Sequence, residues 1–490
     1  MKSFLLFLFV ASATAIPASV RAIDITVTSA ADSGTGSLRE ALGSVSIDDE
    51  IVFAPELDGA TIRLTSGELF VLQRIKIDAS DLPSGITISG ESTFRVFNIQ
   101  AAGVVFDSLT IANGKAPDAT PTSGATGGGG IFVSGSAHLT LRRCTVRDNR
   151  AGNGFPDPSF VSGAGGGGIS CIGTLVVNGS TFHSNSAGDG ITTGMSIGRG
   201  GAGGAIFHFS SGSLTIRNST FADNKTGDGI GSQGFGGNGG AIYSNATTTL
   251  LNSTITNNSS GSGGSGDPVE NGFGGGIYLA VSGGTANMTN TIIAGNSAGP
   301  TGSPPGISSD IFLAATIVNT SGVNLIGIGD GGSGSFPAPV SPGDPNANDD
   351  LVGTVANPRQ ANLGLLTNNG GPTLTVLPLP GSPAIDPVGG DSISTLPLDQ
   401  RGLNRFVPDF VDIGAVEFNP ADQARLDAEA AAAAAAQAAA NAVAAQRSSL
   451  QAKIKKLQKK QKSAAKKGKV AKAKRLKKKI KKLKKQLSDL

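Results

Sequence analysis

The sequence predicts an all-β chain, a parallel β-helix (solenoid) with capped ends, followed by an α-helical tail rich in Ala and then in Lys. Three observations carry that prediction. A glycine-rich block recurs as GGGGIF (127–132), GGGGIS (165–170), AGGAIF (202–207), NGGAIY (238–243) and GGGIYL (274–279). Each block is followed by a stretch that alternates apolar residues with Ser, Thr, Asn or Arg, the pattern of a strand with one buried face. Six short motifs then end in Asn113, Asn149, Asn185, Asn224, Asn258 and Asn296, separated by 36, 36, 39, 34 and 38 residues. So steady a spacing is an internal repeat with variable loops.

The elements follow in order. Residues 1–22 read as a secretory signal: Lys2 supplies the charge, Phe4 to Val10 the apolar run, and Ala13-Thr14-Ala15 or Val20-Arg21-Ala22 the cleavage site. The apolar run falls well short of the roughly 20 residues needed to span a bilayer, and no later stretch is apolar enough, so no transmembrane segment is expected after signal removal. Residues 23–115 are expected to hold an N-terminal cap and the first coils, and 116–330 the Gly/Asn-rich repeats. No repeat has room for an amphipathic helix of about ten residues, and none can bury its apolar face alone. Stacking solves this by setting Ile131, Ile169, Ile206, Ile242 and Ile277 one above another, with coils about 4.8 Å apart. Gly234, Gly236 and Gly239 imitate a dinucleotide-binding G-x-G-x-x-G, but a strand follows them and no helix N-terminus is offered to a phosphate. The glycines are read as turns, and the asparagines as a structural ladder whose side-chain amides hydrogen-bond along the axis.

On these residues the chain resembles secreted bacterial right-handed parallel β-helix proteins. DSGTGSLREAL (32–42) looks like their CSLREA-type N-terminal element, with Gly36 where that name has Cys, and Ser37-Leu-Arg-Glu40 forms a capping box. LGLLTNNGGPTLTVLPLPGSPAID (363–386), DQRG (399–402) and DIGAVEF (412–418) look like a choice-of-anchor Q domain, which makes 331–420 a C-terminal cap. The resemblance implies an exported protein associated with the cell surface or envelope, and no particular reaction. Arg401 with Asp399 and Asp412 is read as a salt-bridge set that pins the cap over the last coil.

Chemistry is harder to find. Asp148 and Asp223 precede their ladder asparagines and are the weak candidates for a glycosidase pair, two coils or about 10 Å apart, slightly beyond an inverting spacing. His138, His183 and His208 occupy different points of their units, which suggests neither a metal trio nor a triad, so no metal and no cofactor is expected. Cys144 and Cys171 are likewise out of phase and are read as free, buried thiols. Phe207, Tyr243 and Tyr278 each follow an inward isoleucine and form an outward aromatic row, the candidate ligand-binding strip for a sugar. The competing reading is that the loops bury this row.

The tail changes character at residue 421. From Arg447 onward there are 20 Lys and Arg against one acid, a net +19, which leaves 19 bases and 35 acids, or −16, in the rest. Leu450, Ile454 and Leu457, and later Leu476, Ile480, Leu483 and Leu487, have 4-3 spacing, with Gly468 between the two sets, so a hairpin or break is expected there. The expectation is therefore an exported β-helix for adhesion or for envelope or matrix structure. Its partners would be cell-surface or extracellular polysaccharide and, through 447–490, an anionic polymer, non-specific nucleic acid included. The alternative is a polysaccharide lyase or glycoside hydrolase on the same scaffold.

Overall fold

The computed structural model describes residues 23–489 except 157–160, 192–196, 210–211, 232–233, 265–270, 281–284, 300–308, 315, 333, 388–395 and 406–410. The expected signal peptide lies outside the described residues. Two compact units are present, one ending at Phe418 and the other running from Asn419 to Leu490.

The first unit is the β-helix that the repeat predicts. Three parallel sheets of ten, ten and eight strands run along it, and a typical coil contributes one strand to each sheet. In one such coil these are Ile131–Val133, His138–Arg142 and Thr145–Arg147, and the next coil repeats them as Ile169–Cys171, Thr174–Asn178 and Thr181–His183. Register keeps like above like: Ile131, Ile169, Ile206, Ile242, Ile277 and Ile311 are direct partners. All six are fully buried. Burying such a row fully contributes roughly 1.5–3 kcal/mol per side chain, which offsets the ordering of coils too short to fold singly.

Glycine does two jobs here, only one of which is visible in the sequence. Gly239 has φ 68°, the left-handed turn that delivers the chain into Ile242, and Gly128, Gly166, Gly203 and Gly274 do the same in their coils. Gly227 is different, because a Cβ there would sit 1.8 Å from the Gly188 carbonyl oxygen and 2.8 Å from Gly201 N. Its loop therefore stacks on the loop below at a distance that excludes any side chain. Gly190–Ile191 pairs with Gly229–Ile230, and Ser259–Ser260 with Ser297–Ala298, so the described parts of these loops are themselves layered.

Helix α1 (Leu38–Ser44) packs on the edge strands Asp24–Val27 and Leu69–Val71, with Leu38 and Ala41 buried, and so covers the open N-terminal coil. The Ser37 hydroxyl accepts the Glu40 N–H at 3.2 Å, and the Glu40 carboxylate accepts the Gly36 N–H at 2.5 Å. Asp32 anchors the same end. Burial pushes its carboxyl up, but hydrogen bonds from Ser66, Arg39 and Thr65 outweigh that and hold it at about 2.

The expected C-terminal cap divides into two parts. Leu351–Val352 pairs with Leu325–Ile326 of the last coil, and Phe336 and Val352 join its core, whereas the described parts of residues 373–415 run back along the flank of the solenoid. The reason is a column of outward threonines, Thr181, Thr220 and Thr254, all at most 1% exposed. Thr181 donates to Leu374 O at 2.5 Å, Thr220 to Gln400 Oε1 at 2.6 Å, and Thr254 Oγ1 accepts from Ala415 N at 3.0 Å. Stacked identical hydroxyls need partners once covered, and this strap supplies one per coil.

The ionic pinning of this segment is more elaborate than one arginine between two acids. Arg401 pairs with Asp399 at 2.9 Å and also donates to the Glu417 carbonyl oxygen. Asp412 serves the backbone instead, accepting N–H groups from Asp386 at 2.9 Å and Phe418 at 2.6 Å. The larger device is Arg405, fully buried, which reaches Glu417 at 3.4 Å, Gly414 O at 2.9 Å and Asn218 Oδ1 on the solenoid at 3.0 Å. Burial and the neighbouring Asp412 push Glu417 up to about 8.

Candidate functional site

The ladder motifs place two residue columns side by side along one corner of the solenoid. In the first, each asparagine Nδ2 donates to the Oδ1 of the next coil: Asn149 to Asn185, Asn185 to Asn224, Asn224 to Asn258 and Asn258 to Asn296, all at 2.9 Å. The column ends on Asp310, whose Oδ1 accepts from Asn296 Nδ2, also at 2.9 Å. Only an acceptor is needed at that end, and a carboxyl oxygen supplies one.

Asn113 does not belong to this ladder. Strand register pairs Arg147 with Ala112, which sets Asp148 beside Asn113 and Asn149 beside Gly114. The asparagine spacing is one residue out of register in that coil. Asn113 heads the second column instead, with φ 50°, followed by Asp148 (55°), Ser184 (56°), Asp223 (57°) and Asn257 (57°). Every residue there is left-handed, a conformation that Asn and Asp tolerate best. The backbone conformation thus accounts for Asn and Asp recurring in this column.

A further ladder escapes sequence reasoning. Ser180, Ser219 and Ser253 hydroxyls accept N–H groups from Cys144, Ser180 and Ser219 at 3.1, 3.2 and 3.4 Å. That column ends in Asn324 and Asp350. The available signal is the Ser that recurs at the head of STFHSN, STFADN and STITNN.

The aromatic row is continuous and one residue longer than expected. Phe207, Tyr243, Tyr278 and Phe312 stack with centroids 5.1, 5.2 and 5.2 Å apart and interplanar angles of 23°, 6° and 9°. Phe209 lies parallel to Phe207 at 6.0 Å, and Phe273 packs at a tilt on Phe312. Coil spacing nearly equals ring-stacking distance, so the faces cover one another. Along the row the rings cover one another's faces and present their edges outward. The loops half-bury the row as well: a Cβ on Gly165 would fall 2.6 Å from the Phe207 ring.

Asp148 and Asp223 are likewise not brought together as a pair. Asp148 is held by Arg147 at 2.7 Å, and Asp223 accepts from Asn257 Nδ2 in the next coil. Between them in coil order lies His183, which has no partner of its kind in the repeat pattern. Its Nδ1 meets Ser184 Oγ at 3.2 Å, and its buried Nε2 has no hydrogen-bond partner. Burial lowers its pKa, which the carboxylates of Asp148 and Asp223 oppose. His183 and Asp223 open onto a cleft of about 560 Å³ between this sheet and the C-terminal hairpin Leu363–Thr367/Thr375–Pro378. The other histidines lie elsewhere: His138 is exposed, and His208 is fully buried with Nε2 2.8 Å from Gly173 O. Among the described residues, no group of three or more His, Cys, Asp or Glu is placed to hold a metal ion. Cys144 and Cys171 are free and buried, and burial pushes both thiols up to about 12.

The second unit carries the other candidate surface. Helix α2 (Pro420–Lys466) starts at Asn419, whose side chain caps Ala421 and Asp422, and Gly468 at φ 67° turns the chain into α3 (Val470–Ser488). Ile454, Ala464 and Ile480 are buried between the two helices, while every Lys and Arg from Arg447 to Lys485 is exposed. The apolar seam holds the hairpin and leaves the cations on its solvent side. Among the described residues, no helix is long and apolar enough to cross a membrane.

The repeat architecture has a family counterpart. Residues 62–307 match the model of the right-handed β-helix region. No curated protein matches the chain. The match spans just over half of the 490 residues and coincides with the stacked coils, and on that footing the chain belongs to the right-handed β-helix family.

Proposed function

We propose that this is an exported, surface-associated β-helix that serves adhesion or envelope and matrix structure and is retained through its basic C-terminal hairpin. The observation that carries the reading is the segregation within 447–490: the isoleucines face inward and every cation faces solvent. A hairpin built this way binds polyanions by counterion release and reads no bases, since it contains no aromatic residue. The CSLREA-like and choice-of-anchor Q-like segments support the surface assignment. In this reading the long solenoid presents its flanks to extracellular polysaccharide.

Binding of the full chain to anionic beads should fall steeply and linearly in log K against log salt, with a slope set by the number of phosphate or sulfate groups neutralised. A slope near zero would remove the electrostatic anchor. The competing reading, a polysaccharide lyase or glycoside hydrolase, is favoured by one observation, the approach of His183 and Asp223 in the same cleft. New reducing or unsaturated ends released from a polysaccharide would decide for it.

A further inference from the structure

The cleft beside the C-terminal hairpin has two unlike walls. Its floor is the sheet corner, where consecutive coils present His183, Asp223 with Ala222, Asn257 with Thr256, and Gly295. These groups repeat at the coil spacing, about 4.8 Å, so the cleft offers a polar contact at intervals on the scale of one sugar ring. Its opposite wall is apolar, formed by leucines of the hairpin, and Leu365 is 85% exposed at that wall. A second cavity of about 390 Å³ shares Thr256, Gly295 and Leu363 with the first, so the two continue as one groove.

We infer that this groove is a binding site for a neutral or amino-sugar oligosaccharide, seated with its hydroxyls on the His183–Asp223–Asn257 floor and the apolar face of its rings against the leucine wall. The inference rests on the polysaccharide-partner reading above and gives it a location. Both walls are needed for the assignment. Sugars are amphipathic in this sense, with equatorial hydroxyls around a C–H face, whereas an acyl chain would leave the floor polar groups unpaired.

Charge selects among sugars. Asp223 is the ionisable acid of the 560 Å³ cleft, and no Lys or Arg is among the described residues that line it. In the adjoining cavity the Arg359 guanidinium donates to Gly343 O at 2.6 Å, and Asp310 is buried with both oxygens accepting N–H groups of Asn296 and Ile328. A uronic acid or sulfated sugar seated in the 560 Å³ cleft would meet the Asp223 carboxylate with no described Lys or Arg lining the cleft beside it. His183 is the side chain of its coil that lines the cleft, and its Nε2 has no hydrogen-bond partner within the protein. The carboxylate of Asp223 and the Asn257 amide together match a vicinal diol.

The test uses the full chain at a salt concentration that silences the basic helical tail 447–490, with a panel of neutral, amino-sugar and uronic-acid hexasaccharides as probes. The wild type should bind at least one neutral or amino-sugar member, and His183→Ala and Leu365→Asp should each weaken that binding by about tenfold or more. Leu365 is exposed, so its substitution leaves the fold intact and keeps the result interpretable even if His183→Ala destabilises its coil. If the wild type binds no glycan, the polysaccharide reading fails and takes this site with it. If it binds but both variants bind equally well, the site assignment alone is wrong. Preference for the uronic-acid members would overturn the ligand class.

Discussion

Asn224→Asp is expected to be among the most damaging single-atom changes in this protein, costing about 3–5 kcal/mol at neutral pH. Asn224 is 1% exposed and uses its amide fully. Nδ2 donates to Phe182 O at 3.0 Å, Ala222 O at 3.0 Å and Asn258 Oδ1 at 2.9 Å, and Oδ1 accepts from Asn185 N at 3.1 Å and Asn185 Nδ2 at 2.9 Å. A carboxylate keeps the accepting half and turns the donating half into an oxygen facing three oxygens. Protonation restores one donor, so the defect should shrink as pH falls, whereas Asn224→Ala should lose stability to a similar extent at every pH. Denaturant midpoints of both variants at pH 5 and pH 8 check this. Equal pH profiles for the two variants would show that the ladder does not need a donor at that position.

The same logic makes wild-type stability fall between weakly acidic and neutral pH. The asparagine and serine ladders both end on an aspartate, and burial pushes Asp310 up to about 7 and Asp350 up to about 6, from an ordinary 3.8. In the strap, burial likewise raises Asp412 to about 6 and Glu417 to about 8. A carboxyl whose folded pKa lies above its unfolded value holds a proton that the unfolded chain has released. Its contribution is therefore whole below about pH 4 and is lost as pH rises through the folded value. For Asp310 the full span is worth at most about 4 kcal/mol, since one pKa unit is about 1.4 kcal/mol. Asp32 acts in the opposite sense at the other end, and its contribution is lost only as pH falls from 3.8 towards about 2. Unfolding temperature should thus peak near pH 4 and decline from there towards pH 8. Asp310→Asn should flatten the decline. A profile still rising from pH 5 to pH 8 would contradict the buried, protonated state of these acids.

The fold is legible because a stacked repeat writes its register into the sequence. The isoleucine row can be read directly from five glycine blocks, and the structure sets those residues in pairwise register. Asn113 is misplaced by the spacing because its coil carries Gly114 where the others carry asparagine, and a motif aligned by its last residue cannot detect that substitution. The aromatic row is where the alternation puts it, yet its geometry is not visible in the sequence, because whether rings expose faces or cover one another depends on their side-chain torsions. His183 is hidden for a related reason. Residues that are out of phase within their own units can still meet others across coils, and the cleft exists only because residues 363–376 fold back onto the same corner. Nothing local in LGLLTNNGGPTLTV specifies which flank of the solenoid it covers. The threonine column that receives the strap is present in the repeat, but a buried hydroxyl and an exposed one look identical in sequence.

The most direct measurement of the central claim is the distribution of protein between cells and medium for the full chain and for a chain ending at residue 446. With the basic hairpin present the protein should remain on the cell surface and be released by high salt. Without it, most of the protein should appear in the medium already at low salt. Equal retention of the two forms at low salt would contradict anchoring by the hairpin.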